Sequence, residues 1–463
     1  MPTCPNPASA TMHSCPCTRL LSTLLVLYAS GASRAAAEGA PPAGGEEKQA
    51  YEAMVLRLPD LVRYYTFDEV TAENPQAASR IGEPEPLRYG GPDAPAVVEG
   101  RTPGRTAVRR DHGWMEGPAV PVDGAVSVAV WFRKHGQGSQ LGNHHTNGMI
   151  LAQGDGYWSG LRLVTNYPQR DLQFQLGRPQ PASAITAHST EPVPDGTWHL
   201  LVAAWDGSRM RLYLDGLLLG AQEYTGPYTP PGSGRLRIGF AGAGIGSLNM
   251  DVDEAAFFSR ALEPAEVLRL TAGGGDIPEA LLGQYTTATG AMDRGDWPAA
   301  ERAFSRLMEM ADAADAAKAR ASYIGGGSAE SACHFVAAWG RAAATWRAQR
   351  RRDAVAAYAA VLDQPAAPES LRAVAVRRCL YAERGIFDAV ASAEAYRQLL
   401  ALTDLPEQDR LEARLSLAER LLRDGDGAAA REQYELAAAE PAIGDARRWD
   451  VRLQATNSRL VEG

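Results

Sequence analysis

The spacing of apolar residues changes once along the chain, close to residue 273. From about Leu61 to Leu270, apolar and polar residues alternate in short runs broken by Gly, Pro, Asn and Asp, as around Val128, Val130 and Phe132. A period of two is typical of strands with one buried face. After Gly275 the apolar residues recur at helical spacing. The pattern predicts a β-sandwich of the jelly-roll type followed by an all-α domain, with a separate core in each.

One hairpin is predicted with particular clarity, from Gly196 to Gly216. Two apolar runs are divided by Asp206-Gly207-Ser208, and Asp-Gly between alternating runs is a strong hairpin signal because Gly accepts positive φ. The second run alternates Met210, Leu212 and Leu214 with Arg209, Arg211 and Tyr213. We expect the face with the two arginines to be solvated.

Two segments of the helical half have small and aromatic residues at the same offsets. The first has Gly295, Trp297, Ala300 and Phe304, and the second has Gly425, Gly427, Ala430 and Tyr434. Weaker copies centre on Ala354 with Tyr358 and on Gly385 with Phe387 and Tyr396. The pattern resembles tetratricopeptide repeats, whose stacked helices expose a groove for a peptide or protein. A bundle of ordinary helical hairpins is the alternative.

Six stretches in the first half resemble a known family in their order. They are LVRYYTFDE, VSVAVWFRK, TWHLLVAAWDG, MRLYLDG, LRIG and VDEAAFFSRALEPAEV. The set resembles laminin G-like, concanavalin A-like jelly-roll domains. The resemblance implies two antiparallel sheets that bind glycans or proteins through loops at one rim, often with calcium. It also implies neighbouring first and last strands, which would bring Asp68 close to Asp253.

The N-terminus has the features of a secretory signal. Arg19 precedes an apolar run from Leu20 to Ala29, small residues follow, and cleavage after Ala37 fits best. The predicted organisation is therefore a signal peptide at 1–37, a linker at 38–54, a laminin G-like jelly roll at 55–272, a hinge at 273–278 and tetratricopeptide-like helical repeats at 279–463. We expect a secreted, periplasmic or cell-surface protein without a transmembrane segment after cleavage.

Composition narrows the classes of partner. The net charge of −9 argues against nucleic acid as a ligand, since binding it needs clustered positive charge. Basic residues are almost all Arg and Ala is abundant, which indicates a bacterial source. Of five cysteines, only Cys333 and Cys379 follow the predicted cleavage point. We expect them to be buried thiols, with a disulfide between them as the alternative.

Candidate ligands for an ion and a glycan come from different residue types. Asp68, Asp251 and Asp253 supply hard oxygen ligands for calcium, with turn capping as the alternative. Tyr157 and Trp158 in one loop, and Tyr224 and Tyr228 in another, are the candidate glycan contacts, because aromatic faces stack on sugars. The alternative is that these rings form a hydrophobic lid.

No motif predicts catalysis. A glycan hydrolase would need two carboxylates flanking the sugar bond, and Asp251 with Asp253 is the nearest candidate. We expect instead an exported, non-catalytic bacterial binding protein, whose jelly roll binds a glycan or extracellular protein and whose helical repeats dock a protein partner. The alternatives are a secreted glycan hydrolase that uses Asp251 and Asp253, and a structural component of the cell envelope.

Overall fold

The computed structural model describes residues 44–461 with several gaps. The gaps are 83–84, 92–93, 103, 111–112, 122–123, 136–147, 155–158, 167–170, 180–183, 190, 192, 194–195, 232–233, 240–247, 316–328, 363–366, 381–392 and 401–406. The predicted signal peptide, Tyr157, Trp158, Gly385 and Phe387 therefore lie outside the described residues.

Two antiparallel sheets form the first half, as the alternating pattern predicts. The strands are β1 (Leu61–Tyr65), β2 (Gln76–Ala77), β3 (Leu87–Gly90), β4 (Ala96–Glu99), β5 (Thr106–Arg110), β6 (Trp114–Pro118), β7 (Val126–Lys134), β8 (Gly148–Gln153), β9 (Leu161–Asn166), β10 (Asp171–Leu176), β11 (Ile185–His188), β12 (Trp198–Trp205), β13 (Arg209–Leu214), β14 (Leu217–Glu223), β15 (Arg235–Ile238) and β16 (Met250–Phe258). The first sheet runs β14-β13-β12-β7-β16-β5-β4, with β1 also paired to β16. The second runs β11-β10-β9-β8-β15-β6-β3-β2.

Helices flank and follow the sandwich. They are α1 (Gly44–Arg57), α2 (Pro264–Thr271), α3 (Glu279–Asp293), α4 (Trp297–Asp315), α5 (Ala329–Arg347), α6 (Arg351–Leu362), α7 (Glu369–Leu380), α8 (Ala393–Leu400), α9 (Glu407–Arg423), α10 (Gly427–Ala439) and α11 (Asp445–Asn457), with a final 3₁₀ turn at Ser458–Val461. No helix in these described segments is long and apolar enough to cross a membrane.

The segment between the predicted signal and the sandwich contains a packed helix. Tyr51 and Val55 of α1 are buried. The indole N–H of Trp131 donates to the Tyr51 hydroxyl at 3.0 Å. The Arg101 guanidinium lies 4.8 Å from the centre of the Tyr51 ring and 4.5 Å from that of Trp131. Residues 44–54, which were expected to be linker, thus cover one face of the first sheet.

The predicted hairpin forms with the expected loop, but its polar face is covered. Residues 206–208 connect β12 to β13, and Gly207 has a φ of 90°. The Arg209 and Arg211 Nε atoms donate to the carboxylate of Asp293, at the end of α3. Tyr213, on the same side, is fully buried. The expectation of a solvated face is wrong because the helical half packs there.

Three helical hairpins share one turn geometry. The second residue after the first helix has a positive φ in each: Gly295 at 73°, Gln349 at 62° and Gly425 at 86°. Its N–H donates to the carbonyl three residues back, and the next N–H donates to the carbonyl five residues back. The alanines five residues on, Ala300, Ala354 and Ala430, are fully buried. The weak copy at Ala354 is therefore a true structural repeat with Gln in place of Gly.

The expectation of a separate core in each half is wrong. One hydrophobic cluster contains core residues of both sheets and most of the helical residues, from Tyr51 to Ala430. Helices α3 and α5 contact β14 directly. A second cluster, with Leu411, Tyr434 and Val451 among its members, lies within α9, α10 and α11. These last helices thus bury a core apart from the main cluster.

The two cysteines of the helical half are buried thiols. Cys333 and Cys379 do not form a disulfide, which agrees with the expectation of buried thiols. Burial raises the pKa of the Cys379 thiol. A buried, protonated thiol is a poor nucleophile, so Cys379 has a packing role.

Candidate functional site

Three aromatic residues form a platform at one end of the sandwich, called here the Trp205 platform: Trp205, Tyr224 and Tyr228. The ring of Trp205 lies 6.0 Å from that of Tyr224 and 5.5 Å from that of Tyr228. Its indole N–H donates to the Tyr224 carbonyl at 3.1 Å, and the Tyr224 hydroxyl donates to the Pro227 carbonyl at 2.6 Å. Both tyrosines are half-buried, so each presents part of its ring to solvent.

The flanks of the other aromatic loop reach the same end. The Gly160 N–H donates to the carbonyl of Thr229 at 2.8 Å, next to Tyr228. The Gly154 N–H donates to the Arg235 carbonyl at 3.4 Å. Gly160 thus lies beside the Tyr228 segment, whereas residues 155–158, with Tyr157 and Trp158, lie outside the described residues. Their role as glycan contacts stays a prediction.

A cationic side chain adjoins the platform. The Arg178 guanidinium lies 6.0 Å from the centre of the Tyr224 ring. Arg178 follows β10, and the Gly177 carbonyl accepts a hydrogen bond from the Thr229 N–H at 3.2 Å. Sequence reasoning missed Arg178, because its position relative to Tyr224 depends on the pairing of distant segments.

A row of polar residues crosses the second sheet on the face away from the core. Leu161 and Leu163 of β9 are in the main core, so Arg162 between them points to the opposite face. The strand register places Arg162 beside Gln175 on one side and Ala152 on the other. Farther along the row, Arg237 Nε donates to Glu116 at 2.5 Å. Arg162 is buried, and the guanidinium, amide and carboxylate groups of this row can donate and accept hydrogen bonds.

Asp251 lies among two guanidinium groups and an imidazole, and the four residues are called here the Asp251 cluster: Arg109, Arg133, His135 and Asp251. The Arg109 Nε donates to Oδ1 at 2.9 Å, and the Arg133 Nε donates to Oδ2 at 2.8 Å. His135 Nε2 lies 2.7 Å from Oδ2. Burial by itself would raise the pKa of Asp251, but these contacts, those of His135 and Arg109 foremost, lower it to about 2.

Asp253 and Glu254 both engage Arg101, although they are consecutive in β16. The Arg101 backbone N–H donates to the Asp253 carboxylate at 2.6 Å, and the Arg101 guanidinium pairs with Glu254 at 3.3 Å. The register of β16 shifts against β7 between Val252 and Ala255, which marks a bulge. At this bulge the two consecutive carboxylates contact the same residue, Asp253 its backbone and Glu254 its side chain.

The family comparison agrees with this architecture. Residues 112–268 match the family model of the concanavalin A-like lectin/glucanases superfamily, Laminin_G_3. This part of the chain is a concanavalin A-like jelly-roll domain. No tetratricopeptide family is identified in the helical half. No curated protein matches the chain.

Solved structures with a similar arrangement include domain 4 of AbnA, an extracellular arabinanase of Geobacillus stearothermophilus in complex with arabinotriose. It is 15% identical, with 46% of this chain and 98% of that chain covered and a TM-score of 0.34. The binding domain of Paraclostridial Mosquitocidal Protein 1 is 11% identical over 46% of this chain and 52% of that chain, with a TM-score of 0.37. The binding domain of botulinum neurotoxin DC in complex with SialylT is 13% identical over 46% and 51%, with a TM-score of 0.34.

The aspartates of the jelly-roll domain do not fit a shared calcium site. Asp68 lies 3.7 Å from the guanidinium of Arg105. Asp253 accepts the backbone N–H of Arg101, which belongs to the same loop as Arg105. Asp251 is surrounded by cations. In the described part of the chain, no group of three or more His, Cys, Asp or Glu residues is spaced to hold a metal ion. Strand β1 does pair with β16, as the resemblance implies. Calcium binding stays a prediction, and these three residues do not provide its site.

A buried hydroxyl, imidazole and carboxylate form a chain in the same domain. Thr197 Oγ1 lies 2.8 Å from His199 Nε2, and His199 Nδ1 lies 2.8 Å from the Asp215 carboxylate. The order resembles a hydrolytic triad. All three residues are buried, however, and Asp215 also accepts the Leu200 N–H at 2.8 Å. This hydrogen-bonded chain links the start of β12 to the β13–β14 turn.

Proposed function

We propose that the protein is an exported bacterial binding protein. Its jelly-roll domain binds a glycan or an extracellular protein, and its helical repeats, which are tetratricopeptide-like, dock a protein partner. The observation that carries the proposal is the Trp205 platform at the loop end of a concanavalin A-like sandwich. Export and a periplasmic or cell-surface location belong to the proposal as well.

The chemistry of the platform suits a sugar. Tyrosine rings offer flat apolar faces for the C–H groups of a pyranose. Hydrogen bonds of the Tyr224 hydroxyl and the Trp205 indole hold these two rings in place. The nearby Arg178 supplies N–H donors for hydroxyl or acidic groups. Loops held by a rigid sandwich are the usual position of binding residues.

Docking by the helical repeats is supported by apolar residues at the end of the array. Trp449 and Leu453 of α11 are one helical turn apart and are 67% and 44% exposed. Leu436 of α10 is also exposed. The first hairpins pack on the sandwich instead, so a partner would meet α10 and α11.

The environment of Asp251 and Asp253 argues against their proposed role in a glycan hydrolase. Asp251 and Asp253 are fully buried and are engaged by arginines, so neither reaches a sugar in this arrangement. A carboxyl with a pKa of about 2 is also ionised at neutral pH and cannot act as a general acid. The structural-component alternative predicts self-association without glycan binding, which the same experiments detect.

A glycan array with the full chain tests the first part of the proposal. Tyr224→Ala and Tyr228→Ala should each weaken binding to the retained glycan by about tenfold, since loss of a stacked ring costs roughly 1–2 kcal/mol. Trp158→Ala tests the predicted contact in the other loop. Tyr89→Ala, a half-buried tyrosine of β3, is the matched control and should leave affinity unchanged.

The competing lid interpretation has a distinct result. If the platform variants lower the melting temperature but bind the glycan as before, the rings are a lid. An array without any retained glycan would refute the glycan part of the proposal. Repeating the array with a chelator tests calcium: unchanged binding and melting temperature would show that no functional calcium is present.

Capture from an envelope extract tests docking by the helical repeats. A protein retained by the wild-type chain should be lost with Trp449→Ala and Leu453→Ala together. Sedimentation of the purified chain shows whether the partner is a second copy. Retention by both forms would remove α11 from the docking surface.

A further inference from the structure

Exposed apolar residues are concentrated on helices α10 and α11. The described part of the chain has five exposed large apolar side chains, and three of them are Leu436 of α10 and Trp449 and Leu453 of α11. Trp449 is the most exposed of the five. Single apolar residues at a surface need no explanation, whereas adjacent ones mark interaction sites. Trp449 and Leu453 are adjacent, because residues at i, i+4 spacing are neighbours on a helix.

Trp449 and Leu453 lie on the side of α11 that faces away from the other helices. Val451 and Ala455 of α11 are buried in the second hydrophobic cluster, together with residues of α9 and α10. A residue two positions away is rotated by about 200° around a helix, and Trp449 and Leu453 flank Val451 at that spacing. Both side chains therefore point away from α9 and α10. Their spacing is that of an apolar stripe that packs on another helix.

Charged residues of opposite sign lie on the two sides of this apolar pair. Arg448 and Arg452 are one helical turn apart on one side of the line from Trp449 to Leu453, and Asp450 is on the other side. Arg448 is engaged by Asp445 at 2.9 Å. Arg452 and Asp450 are exposed, and neither side chain forms an ion pair within the described residues. The outer face of α11 is thus an apolar stripe with a positive and a negative flank.

This charge pattern argues against a second copy of the chain as the occupant. A two-fold interface uses the same surface on both subunits. If two α11 helices packed antiparallel through Trp449 and Leu453, Arg452 would lie near its own copy and Asp450 near its own copy. Facing like charges are unfavourable across an interface. The complementary helix therefore carries the opposite charges on its flanks.

We propose that the outer face of α11 binds an amphipathic helix of another protein. The apolar residues of that helix would cover Trp449 and Leu453, an acidic flank would pair with Arg452, and a basic flank would pair with Asp450. The contact is on the outer face of one helix rather than in a groove between repeats. The inference rests on the proposed docking by the helical repeats and names the chemistry of the partner.

The test uses the full chain and a displayed library of amphipathic helical peptides. All peptides carry leucines at i, i+4 spacing, and the flanking positions are drawn from Glu, Gln and Lys. The wild type should enrich peptides with Glu on one flank and Lys on the other. Calorimetry with an enriched peptide should show that Trp449→Ala with Leu453→Ala weakens binding at least about tenfold, because these side chains are the apolar anchors.

Charge reversal at α11 separates pairing across the interface from a general effect of charge. Selection with Arg452→Glu should change the preferred residue on the facing flank from Glu to Lys, while the flank that faces Asp450 keeps its preference. Asp450→Lys should change the other flank alone. A role of these residues in the stability of α11 would not reverse a preference in the peptide.

Two control variants match the charged and the apolar substitutions. Arg306→Gln removes an exposed arginine of α4, and Val97→Ala shortens an exposed apolar side chain of β4. Both should bind the enriched peptide like the wild type. Melting curves of all variants show that the fold is kept.

Three results would overturn the inference: no enrichment of helices with opposite flanks, an unchanged preference in a folded Arg452→Glu variant, or a dimer in sedimentation that Trp449→Ala abolishes. Capture from envelope extract keeps these results apart from the proposed function. If a captured protein is lost with Trp449→Ala and Leu453→Ala but the flank preference is absent, only the chemistry of the partner is wrong. If neither capture nor peptide binding depends on these two residues, docking at α11 is wrong as well.

Discussion

At Asp251, two guanidinium groups and an imidazole lie within 2.9 Å of the carboxylate oxygens. The contacts lower its pKa from 3.8 to about 2. Because the folded pKa lies below the unfolded one, the ionised carboxylate stabilises the fold at every pH above about 4. That contribution is lost as the pH falls from about 4 to about 2. The same oxygens that sequence reasoning assigned to calcium are thus occupied by the protein's own cations.

Replacing Asp251 by Asn should lower the free energy of unfolding by about 2–4 kcal/mol at pH 7, because it leaves arginines packed around a neutral amide. The difference in unfolding free energy between the variant and the wild type should become smaller below about pH 4. At that pH the Asp251 carboxylate of the wild type begins to be protonated in the unfolded chain. Urea unfolding at pH 7 and pH 3 measures both effects.

Asp206→Asn is the control for this prediction. Hydrogen bonds from Ser208 and Arg211 outweigh burial and lower the pKa of Asp206 to about 2 as well, but its side chain is 32% exposed. We expect that substitution to cost less than about 1 kcal/mol. Equal losses in the two variants would show that burial of Asp251 adds nothing.

The helical hairpins show how an element can keep its geometry when a key residue changes. Gly295 and Gly425 take the left-handed conformation that Gly accepts without strain, and Gln349 takes it without that advantage. A left-handed conformation costs an L-residue roughly 1–2 kcal/mol. Burial of Ala354 and Tyr358 in the shared core offsets this cost.

Gln349→Gly should therefore raise the free energy of unfolding by up to about 1 kcal/mol, while Gly425→Ala should lower it by about 1 kcal/mol. Gly283→Ala is the matched control: this Gly is inside α3 with no atom near its added Cβ, so helix propensity alone should stabilise by about 0.5–1 kcal/mol. Thermal and urea unfolding of the three variants measures these changes in the free energy of unfolding. A less stable Gln349→Gly variant would contradict the strain at this turn.

On the scale of the whole molecule, the helical half is anchored to the sandwich by buried polar contacts. Glu191, in the β11–β12 connection, accepts two hydrogen bonds from Arg378 of α7, at 2.8 and 2.7 Å, and one from Tyr358 of α6 at 3.1 Å. Its side chain is fully buried. Tyr285 donates to the Gly216 carbonyl, and Arg347 donates to that of Leu219. These contacts join the halves across the β13–β14 edge.

Glu191→Gln should lower the free energy of unfolding by about 2–4 kcal/mol, because it leaves the Arg378 charge buried without its counterion. Glu223→Gln removes a carboxylate that pairs with Arg209 but is 82% exposed, and it should cost less than about 1 kcal/mol. A single unfolding transition in the wild type, followed by circular dichroism and tryptophan fluorescence, should reflect the shared core. Two separate transitions for sheet and helix would contradict it.

Much of the fold follows from local pattern. The alternation around Val128 predicts strands, Asp206-Gly207 predicts a hairpin loop, and Gly295 and Gly425 predict helix-ending turns; each feature forms. The repeat at Ala354 was weak in sequence because Gln349 replaces its Gly. The packing of α1 was missed because few apolar residues anchor it, Tyr51, Met54 and Val55 among them, and they do not give a clear helical period.

The sequence by itself determined the two secondary-structure classes, their order and the loops that carry the aromatic residues, since period and turn chemistry act over a few residues. Only the tertiary structure decided which faces are covered and which charges meet. Arg209 and Arg211 meet Asp293, and Asp251 meets Arg109 and Arg133, because strands and helices distant in sequence pack side by side. Whether a carboxylate binds a metal or an arginine depends on those neighbours. The alternation of residues along one strand does not predict which neighbours it will have.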